Sequence, residues 1–321
     1  MEALARGFSV FLYDSLLYGQ DYREILREIK SKKKDGTTCQ FAIGDTRNTD
    51  LLEQSLSDFQ PNFLFHFAEL VGIYICDDNP AYTKEINFEA SKKVIDLGEK
   101  LNIPTIYNST SSVYGNQKEK IILGEYASLP EPTDNYCKYK LEMEKYINVK
   151  KKTNPDFKVI MLRLATVCGL SPRMRLELLP NHFTYCAISK GSIKISEPEA
   201  FRAQVDIEDI VDSFFFIMEK GHWPRHLYNI GHHNLQKIQV AKIIQSMVGC
   251  KLEPVDHIGD LRNLQIDSSA FCKDFNWKPK HSLEETIRKT GKWIKDNLPD
   301  IENSNFAGII NTPLDRWLKM I

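Results

Sequence analysis

Short apolar runs alternate with longer mixed stretches through the first half of the chain. Residues 1–6 read as the end of a helix, with Gly7 as its C-cap residue. The run 8–13 predicts a strand ending in Asp14, followed by a loop (15–20) and a helix over about 21–33. A second strand at 38–43 ends at Gly44-Asp45, and 51–59 is helical. Pro61 precedes a third strand at 63–67. A long helix is predicted over about 82–101, then a fourth strand at 105–108. A helix carrying Tyr136 continues to about 152, and a fifth strand covers 158–164. Strands alternating with helices of this length predict a parallel, doubly wound α/β sheet. Chemistry in such sheets collects at strand C-termini. Asp14, Asp45, Ala68, Thr110 and Thr166 all fall at or just after one.

Beyond Gly169 the pattern loosens. A basic turn at 171–175 leads into a helix (176–190), short strands (192–195 and 201–205) and a helix at 209–220. Strand, helix and strand follow at 227–231, 238–248 and 252–256. Helices are predicted near 268–275 and 283–297. From Pro299 the tail reads as loop with an apolar finish at Trp317, Leu318 and Ile321.

One stretch carries candidate chemistry. Ser109-Thr110-Ser111-Ser112 sits at the end of the fourth apolar run, and Tyr136 lies four positions before Lys140. On a helix, i and i+4 share a face. Tyr136 and Lys140 can therefore project into one pocket. A cation beside a phenol favours the phenolate, so Lys140 is expected to lower the Tyr136 pKa. That suits proton transfer from a sugar hydroxyl, with Thr110 as the hydrogen-bonding relay.

Composition adds mainly exclusions. Net charge is −1, which supplies no global attraction to nucleic acid or anionic membrane. The basic runs 30–34 and 150–152 sit at predicted helix ends, where the dipole favours them. Seven cysteines, odd in number and without a CxxC pair, argue for a reducing compartment and against a disulfide framework or zinc site. His222, His226, His232 and His233 read as solvent-exposed side chains, not metal ligands, and no metal is expected. No apolar run reaches transmembrane length and no signal-peptide core is visible. The expectation is a cytoplasmic protein with neither nucleic acid nor membrane as partner.

The order of these motifs resembles the extended short-chain dehydrogenase/reductase family, the NAD-dependent nucleotide-sugar epimerases and dehydratases. The likeness runs through residues 1–297. Asp14 stands where that family places the acid for the adenosine ribose, and Asp45-Thr46 where it places a pair beside adenine. His66-Phe67-Ala68-Glu69 resembles the family's H-L-A-A, with Glu69 replacing the second Ala. Asn87 matches a structural Asn, and Thr110, Tyr136 and Lys140 match the catalytic Ser/Thr, Tyr and Lys. Residues 162–169 and 171–175 resemble a sub-group carrying L-R-x-A-T-V-x-G-x-S-P-R-M-R, with Asn181 in the next segment. Arg202 and Arg262 match arginines that clamp a nucleotide diphosphate, for which bidentate guanidinium contacts are suited.

The resemblance implies a Rossmann-like domain over 1–169, with segments near 201–246 returning to it. A substrate lobe would take 170–200 and 247–298, followed by a tail at 299–321. It implies NAD, with NADP disfavoured by Asp14, held by Asp14, Asp45, Thr46, Phe67, Ala68, Asn87, Ser109, Tyr136, Lys140 and Val167. It implies a nucleotide-diphosphate sugar held by Thr110, Ser111, Thr166, Arg175, Asn181, Arg202 and Arg262. A homodimer through a four-helix bundle of the helices at 82–101 and 135–152 also follows. The activity implied is reversible oxidation at sugar C4, as an epimerase or a 4-dehydrogenase. The family's 4,6-dehydratases place Asp-Glu after the catalytic Thr; here Ser111-Ser112 stands there, and hydroxyls cannot replace that acid/base pair. Ala203 and Asp206 also depart from the family's Arg/Asp and His.

The family begins with a strand and a G-x-x-G-x-x-G turn opening a helix, whose backbone receives the cofactor pyrophosphate. This chain has no such segment and reads as beginning inside that helix. In the 3-2-1-4-5-6 strand order the missing strand lies between those ending at Asp14 and Phe67. Burying a large apolar side chain contributes roughly 1.5–3 kcal/mol, so five such residues rival a net stability of about 5–15 kcal/mol. Three readings stand open. The sequence is a piece of an ordinary enzyme; or it is a catalytically impaired nucleotide-sugar-binding or partner protein; or another segment, such as the apolar tail, fills the gap.

Overall fold

Ten residues after its start the chain enters the first strand of an alternating α/β pattern. The structure, a computed structural model, describes residues 1–17, 22–117, 121–256 and 262–303. Helix α1 (Glu2–Ala5) leads into β1 (Val10–Asp14), α2 (Tyr22–Ser31), β2 (Cys39–Ile43), α3 (Thr49–Phe59) and β3 (Leu64–His66). Then come α4 (Ile73–Asp78), α5 (Pro80–Lys84), a π-helical turn (Glu85–Ala90) and α6 (Ser91–Lys100). Strand β4 (Thr105–Thr110) runs into a 3₁₀ turn (Ser111–Tyr114), β5 (Ile122–Leu123), α7 (Asn135–Thr153), β6 (Val159–Leu164) and β7 (Thr166–Cys168). The second half holds α8 (Leu179–Lys190), β8 (Ser192–Ile195), β9 (Phe201–Asp206), α9 (Ile207–Lys220), β10 (Leu227–Ile230) and β11 (His233–Gln236). It closes with α10 (Lys237–Val248), β12 (Lys251–Pro254), β13 (Gln265–Ile266), α11 (Ser269–Phe275) and α12 (Leu283–Asn303).

The parallel sheet is in two blocks. β1 pairs with β2, Val10 opposite Cys39. The other block has the order β10-β6-β4-β3, with Thr105 of β4 between Leu64 of β3 and Val159 of β6. Among the described residues no strand joins β1 to β3. That break falls where the strand order predicts the missing central strand. The tail 304–321 lies outside the described residues. Helices tie the two blocks together from the side. Leu52 and Leu56 of α3 pack with Val94 and Leu97 of α6, and Tyr13 of β1 and Leu64 of β3 join the same cluster. β4 is buried at all six positions, which its central place between two strands requires.

The smaller lobe grows from β6 onwards. β9 pairs in parallel with β7 and antiparallel with β11, and β8 pairs in parallel with β12. Phe183 and Ala187 of α8, Ile193 of β8, Val240 and Ile244 of α10 and Ile287 of α12 share one core. Among the described residues no helix is long and apolar enough to cross a membrane.

Several elements differ from expectation. The helix predicted over 82–101 starts at Pro80 and is interrupted by the π-helical turn. Asn87 in that turn binds both backbone groups of Leu70, at 2.8 Å each, and so pins the loop after β3. α4 and the two- to four-residue strands β5, β7, β11 and β13 were not expected, because segments that short show no periodicity. α12 continues through Pro299 instead of stopping near 297. His226 and His233 are partly buried, not solvent-exposed, and His226 bonds Asn148 Oδ1 at 2.7 Å.

Candidate active site

β4 delivers the hydroxyl cluster. Thr110 ends the strand in extended conformation, and its hydroxyl accepts from Ser112 N at 3.1 Å, capping the 3₁₀ turn. α7 starts beside it. Asp134 caps that helix by accepting from Cys137 N at 2.8 Å. The Cys137 thiol donates to Ser112 O at 3.4 Å and holds the helix start on the turn. These contacts set Tyr136 beside Thr110, close enough for the Thr110 hydroxyl to favour the phenolate. Lys140 follows one helical turn later and is almost fully buried. The structure therefore brings Thr110, Tyr136 and Lys140 together, as the spacing predicts.

The Tyr136 pKa lies above its ordinary value and not below it, which corrects the sequence expectation. The Lys140 ammonium is bound by the Glu69 carboxylate and the Asn108 carbonyl. Both side chains of the ion pair are buried, 3% and 2% exposed. Burial pushes the Tyr136 phenol up, and the Glu69 carboxylate raises it further. The Thr110 hydroxyl and Arg262 act the other way with smaller effect. Glu69 also accepts from the Tyr107 hydroxyl at 2.9 Å and from Ser91 at 3.4 Å. Ser91 shares a 2.8 Å hydrogen bond with His66 Nε2.

Burial pushes the His66 pKa down to about 4. The folded state thus holds this imidazole neutral, and the unfolded chain binds a proton first. The stability His66 contributes is complete above its ordinary pKa of about 6.5 and is lost as pH falls toward 4, on the order of 3 kcal/mol. Urea denaturation is expected to show a smaller pH 7 to pH 5 drop in His66→Asn than in wild type. Equal drops would mean that this ring does not set the acid sensitivity.

Two clefts flank the cluster. The first encloses about 870 Å³, open solvent included, and is lined by Asp14, Asp45, Thr46, Phe67, Ala68 and Glu69. All five residues expected at the adenosine end are therefore in one place. Arg175, expected at the substrate, lies on this cofactor-side cleft with Arg173, and its guanidinium is paired with Glu177 at 2.7 Å. Five expected cofactor residues do not line it: Tyr136 and Lys140 lie in the hydroxyl cluster behind Glu69, and three others are engaged elsewhere. Asn87 is used by Leu70, Val167 lies in β7 against Val205, and the Ser109 hydroxyl donates to Glu144 at 2.5 Å.

The second cavity, about 970 Å³ with its open mouth, is lined by Ser111, Thr166, Arg202 and Arg262 as expected, whereas Thr110, also expected at the substrate, is buried behind Ser111 and Ser112 and does not line it. Arg262 donates to Ser112 Oγ and so links this cavity to the hydroxyl cluster. Asn181 is not in its lining; it is buried, accepts from Gly169 N at 3.3 Å and donates to Arg175 O at 3.1 Å. The sequence reading missed His182, Lys194 and Lys237 in the lining. Alternation gives the signal for Lys194: Ile193 and Ile195 point into the core, so Lys194 points the other way. Four cations and one carboxylate, Glu177, make the cavity a receptor for anions.

Fold and cavity chemistry agree with what the chain is similar to. A model described as "NAD dependent epimerase/dehydratase family" matches residues 5–231, well over half of the chain. The chain belongs to that family. A UDP-glucose 4-epimerase of Pisum sativum is 22% identical, over 92% of this chain and 91% of its own length. Among solved structures, the UDP-glucose 4-epimerase of Thermotoga maritima with UDP-glucose superposes with a TM-score of 0.77 at 22% identity, covering 92% and 94%. The dTDP-glucose 4,6-dehydratase of Bacillus anthracis in complex with NAD gives 0.75 at 21% identity, covering 91% and 89%. These likenesses establish the Rossmann-like fold of the epimerase/dehydratase enzymes.

Proposed function

We infer that the chain oxidises a nucleotide-diphosphate sugar reversibly at C4, as a 4-epimerase or 4-dehydrogenase using NAD. The observation that carries this reading is the convergence of Thr110, Tyr136 and Lys140 at the end of β4, next to Ser112, which Arg262 of the Arg202-bearing cavity binds. The diphosphate would lie on those guanidinium groups and the sugar at Thr110. Tyr136 would take the C4 hydroxyl proton while Thr110 orients that hydroxyl. NAD fits the first cleft at its adenosine end: Asp14 presents an exposed carboxylate at the end of β1, suited to ribose hydroxyls and repelling a 2′-phosphate. Bound there, it supplies the hydride acceptor. Ser111 and Ser112 support this over 4,6-dehydration, since neither can act as the carboxylate pair. The reading extends to a homodimer pairing α6 and α7 of two copies.

Two measurements test it. Denaturing the purified chain should release NAD(H), detected by absorbance and mass. Arg202→Ala and Arg262→Ala should each weaken UDP-glucose or dTDP-glucose binding roughly 10–100-fold, the loss of a charge-assisted contact of about 1.5–3 kcal/mol. Wild-type binding in both variants would remove the diphosphate from this cavity. A second reading, a nucleotide-sugar-binding protein with impaired catalysis, is favoured by the Glu69–Lys140 ion pair. Folded protein that binds the sugar nucleotide but releases no cofactor would select it.

A further inference from the structure

Lys140 sits one turn from Tyr136 on α7, yet its charge is turned elsewhere. The ammonium lies 4.8 Å from the Tyr107 ring centroid and 5.9 Å from that of Tyr136. It is fixed by Glu69 Oε2 and Asn108 O, both on the sheet side. The carboxylate is fixed in turn, because its other oxygen accepts from Tyr107 and Ser91. We propose that Glu69 is a positioning residue of this site: it anchors the Lys140 ammonium against the sheet and withholds its charge from Tyr136. The proposal rests on Tyr136 and Lys140 being the proton-transfer pair.

The physical argument is one of compensation. Two opposite charges in contact, both out of water, leave little net field on a third group one helical turn away. The remaining groups around the phenol are few. From the loop after β3 comes Glu69; from β4, Tyr107; from α7, Cys137; behind them His66 faces Glu69 and Lys140, and Glu144, paired with Arg163 of β6, faces Tyr107. Arg262 approaches through Ser112, and the Thr110 hydroxyl lies beside the phenol. Arg262 favours the phenolate. Glu69 also lines the first cleft, so a ligand with vicinal hydroxyls entering there would meet Lys140 already engaged. Displacing the carboxylate from Lys140 is what would return the ammonium to Tyr136.

The test is a pH titration of tyrosinate absorbance on the full chain, with each variant measured against its own Tyr136→Phe partner. The difference isolates Tyr136 from the other tyrosines. In Glu69→Gln the Tyr136 component should move down by about one pH unit, roughly tenfold more phenolate at a fixed pH. The same position as wild type overturns the proposal. Circular dichroism confirms that the variant folds. Should Glu69→Gln fail to fold, the neutral double variant Glu69→Gln/Lys140→Met decides. Its Tyr136 should titrate at or below the wild-type position; titration above it would show that Lys140 reaches Tyr136 in the wild type. The readout needs neither cofactor nor turnover. A chain that releases no NAD(H) therefore counts against the functional reading alone, and an unmoved titration in a NAD-bearing chain counts against Glu69 alone.

Discussion

Tyr136→Phe is expected to lower turnover of a nucleotide sugar by about 10²–10⁴-fold, the usual range for losing a positioned acid/base. The change removes one oxygen and leaves the ring. That ring packs with Leu70, Cys76 and Cys137, so the contacts holding α7 on the loop after β3 persist. The hydroxyl's favourable neighbour is that of Thr110. Stability should therefore change little, and binding of UDP-glucose or dTDP-glucose should stay within a few-fold of wild type. Turnover falling with binding unchanged is the signature of an interaction made in the transition state. A Tyr136→Phe chain that oxidises substrate at the wild-type rate would falsify the assignment of this phenol. Thr110→Val is the informative companion. It removes the hydroxyl that favours the phenolate and the cap on Ser112 N together, so its loss of rate should come with a measurable loss of stability.

Much of this site was legible because its parts are local. Tyr136 and Lys140 are four residues apart, and helix geometry alone puts them on one face. Thr110 follows from an apolar run that has to end somewhere exposed to chemistry. Asp14 and Asp45 are legible for the same reason. What was not legible depends on long-range pairing. Glu69 stands out as a departure from H-L-A-A, but its partner lies 71 positions later, and nothing local announces that they meet. The expected drop in the Tyr136 pKa failed first because burial raises the phenol, and then because spacing predicted the cation and could not see its counter-ion. Ser109 shows the same failure in reverse. It belongs to the hydroxyl cluster by sequence, yet alternation along β4 turns it to the opposite face from Thr110, toward Glu144.

The fold divides along similar lines. Elements of ten residues or more came out with small errors at their ends, because their periodicity is long enough to read. The π-helical turn did not, since a single turn of altered helix leaves no mark on the apolar period. The broken sheet was predictable from strand order and not from any single strand. Each of β1 and β3 is an ordinary apolar run; only the parallel order shows that nothing described lies between them. Lys194 and Lys237 come from the smaller lobe, where short elements carry little pattern and the cavity is assembled from segments far apart in the chain.

The largest stability effect should come from a residue behind the site. Glu144 lies one turn beyond Lys140 on α7 and meets Arg163 of β6 through both oxygens, at 2.9 and 2.6 Å. The two side chains are 4% and 3% exposed. Arg163 uses its remaining donor group on the Tyr114 hydroxyl at 3.0 Å and the Glu125 carbonyl at 2.9 Å. Tyr114 continues to Asn229 Oδ1 at 2.8 Å, so one polar network joins α7, β6, the turn after β4 and β10. Glu144→Ala leaves the guanidinium buried without its counter-ion, and it strands the Ser109 hydroxyl as well. Breaking such a pair costs about 3–5 kcal/mol, a large share of a total of roughly 5–15 kcal/mol. The expected result is a urea midpoint shifted strongly down at unchanged m. Glu144→Gln keeps one acceptor oxygen for Arg163 and Ser109 and should cost less. Glu144→Leu/Arg163→Met removes both charges at similar volume and should recover much of the loss, because the penalty lies in the orphaned ion and not in the missing attraction. A Glu144→Ala chain within about 1 kcal/mol of wild type would mean that water reaches Arg163, and that the face of α7 next to Lys140 is wetter than its packing implies.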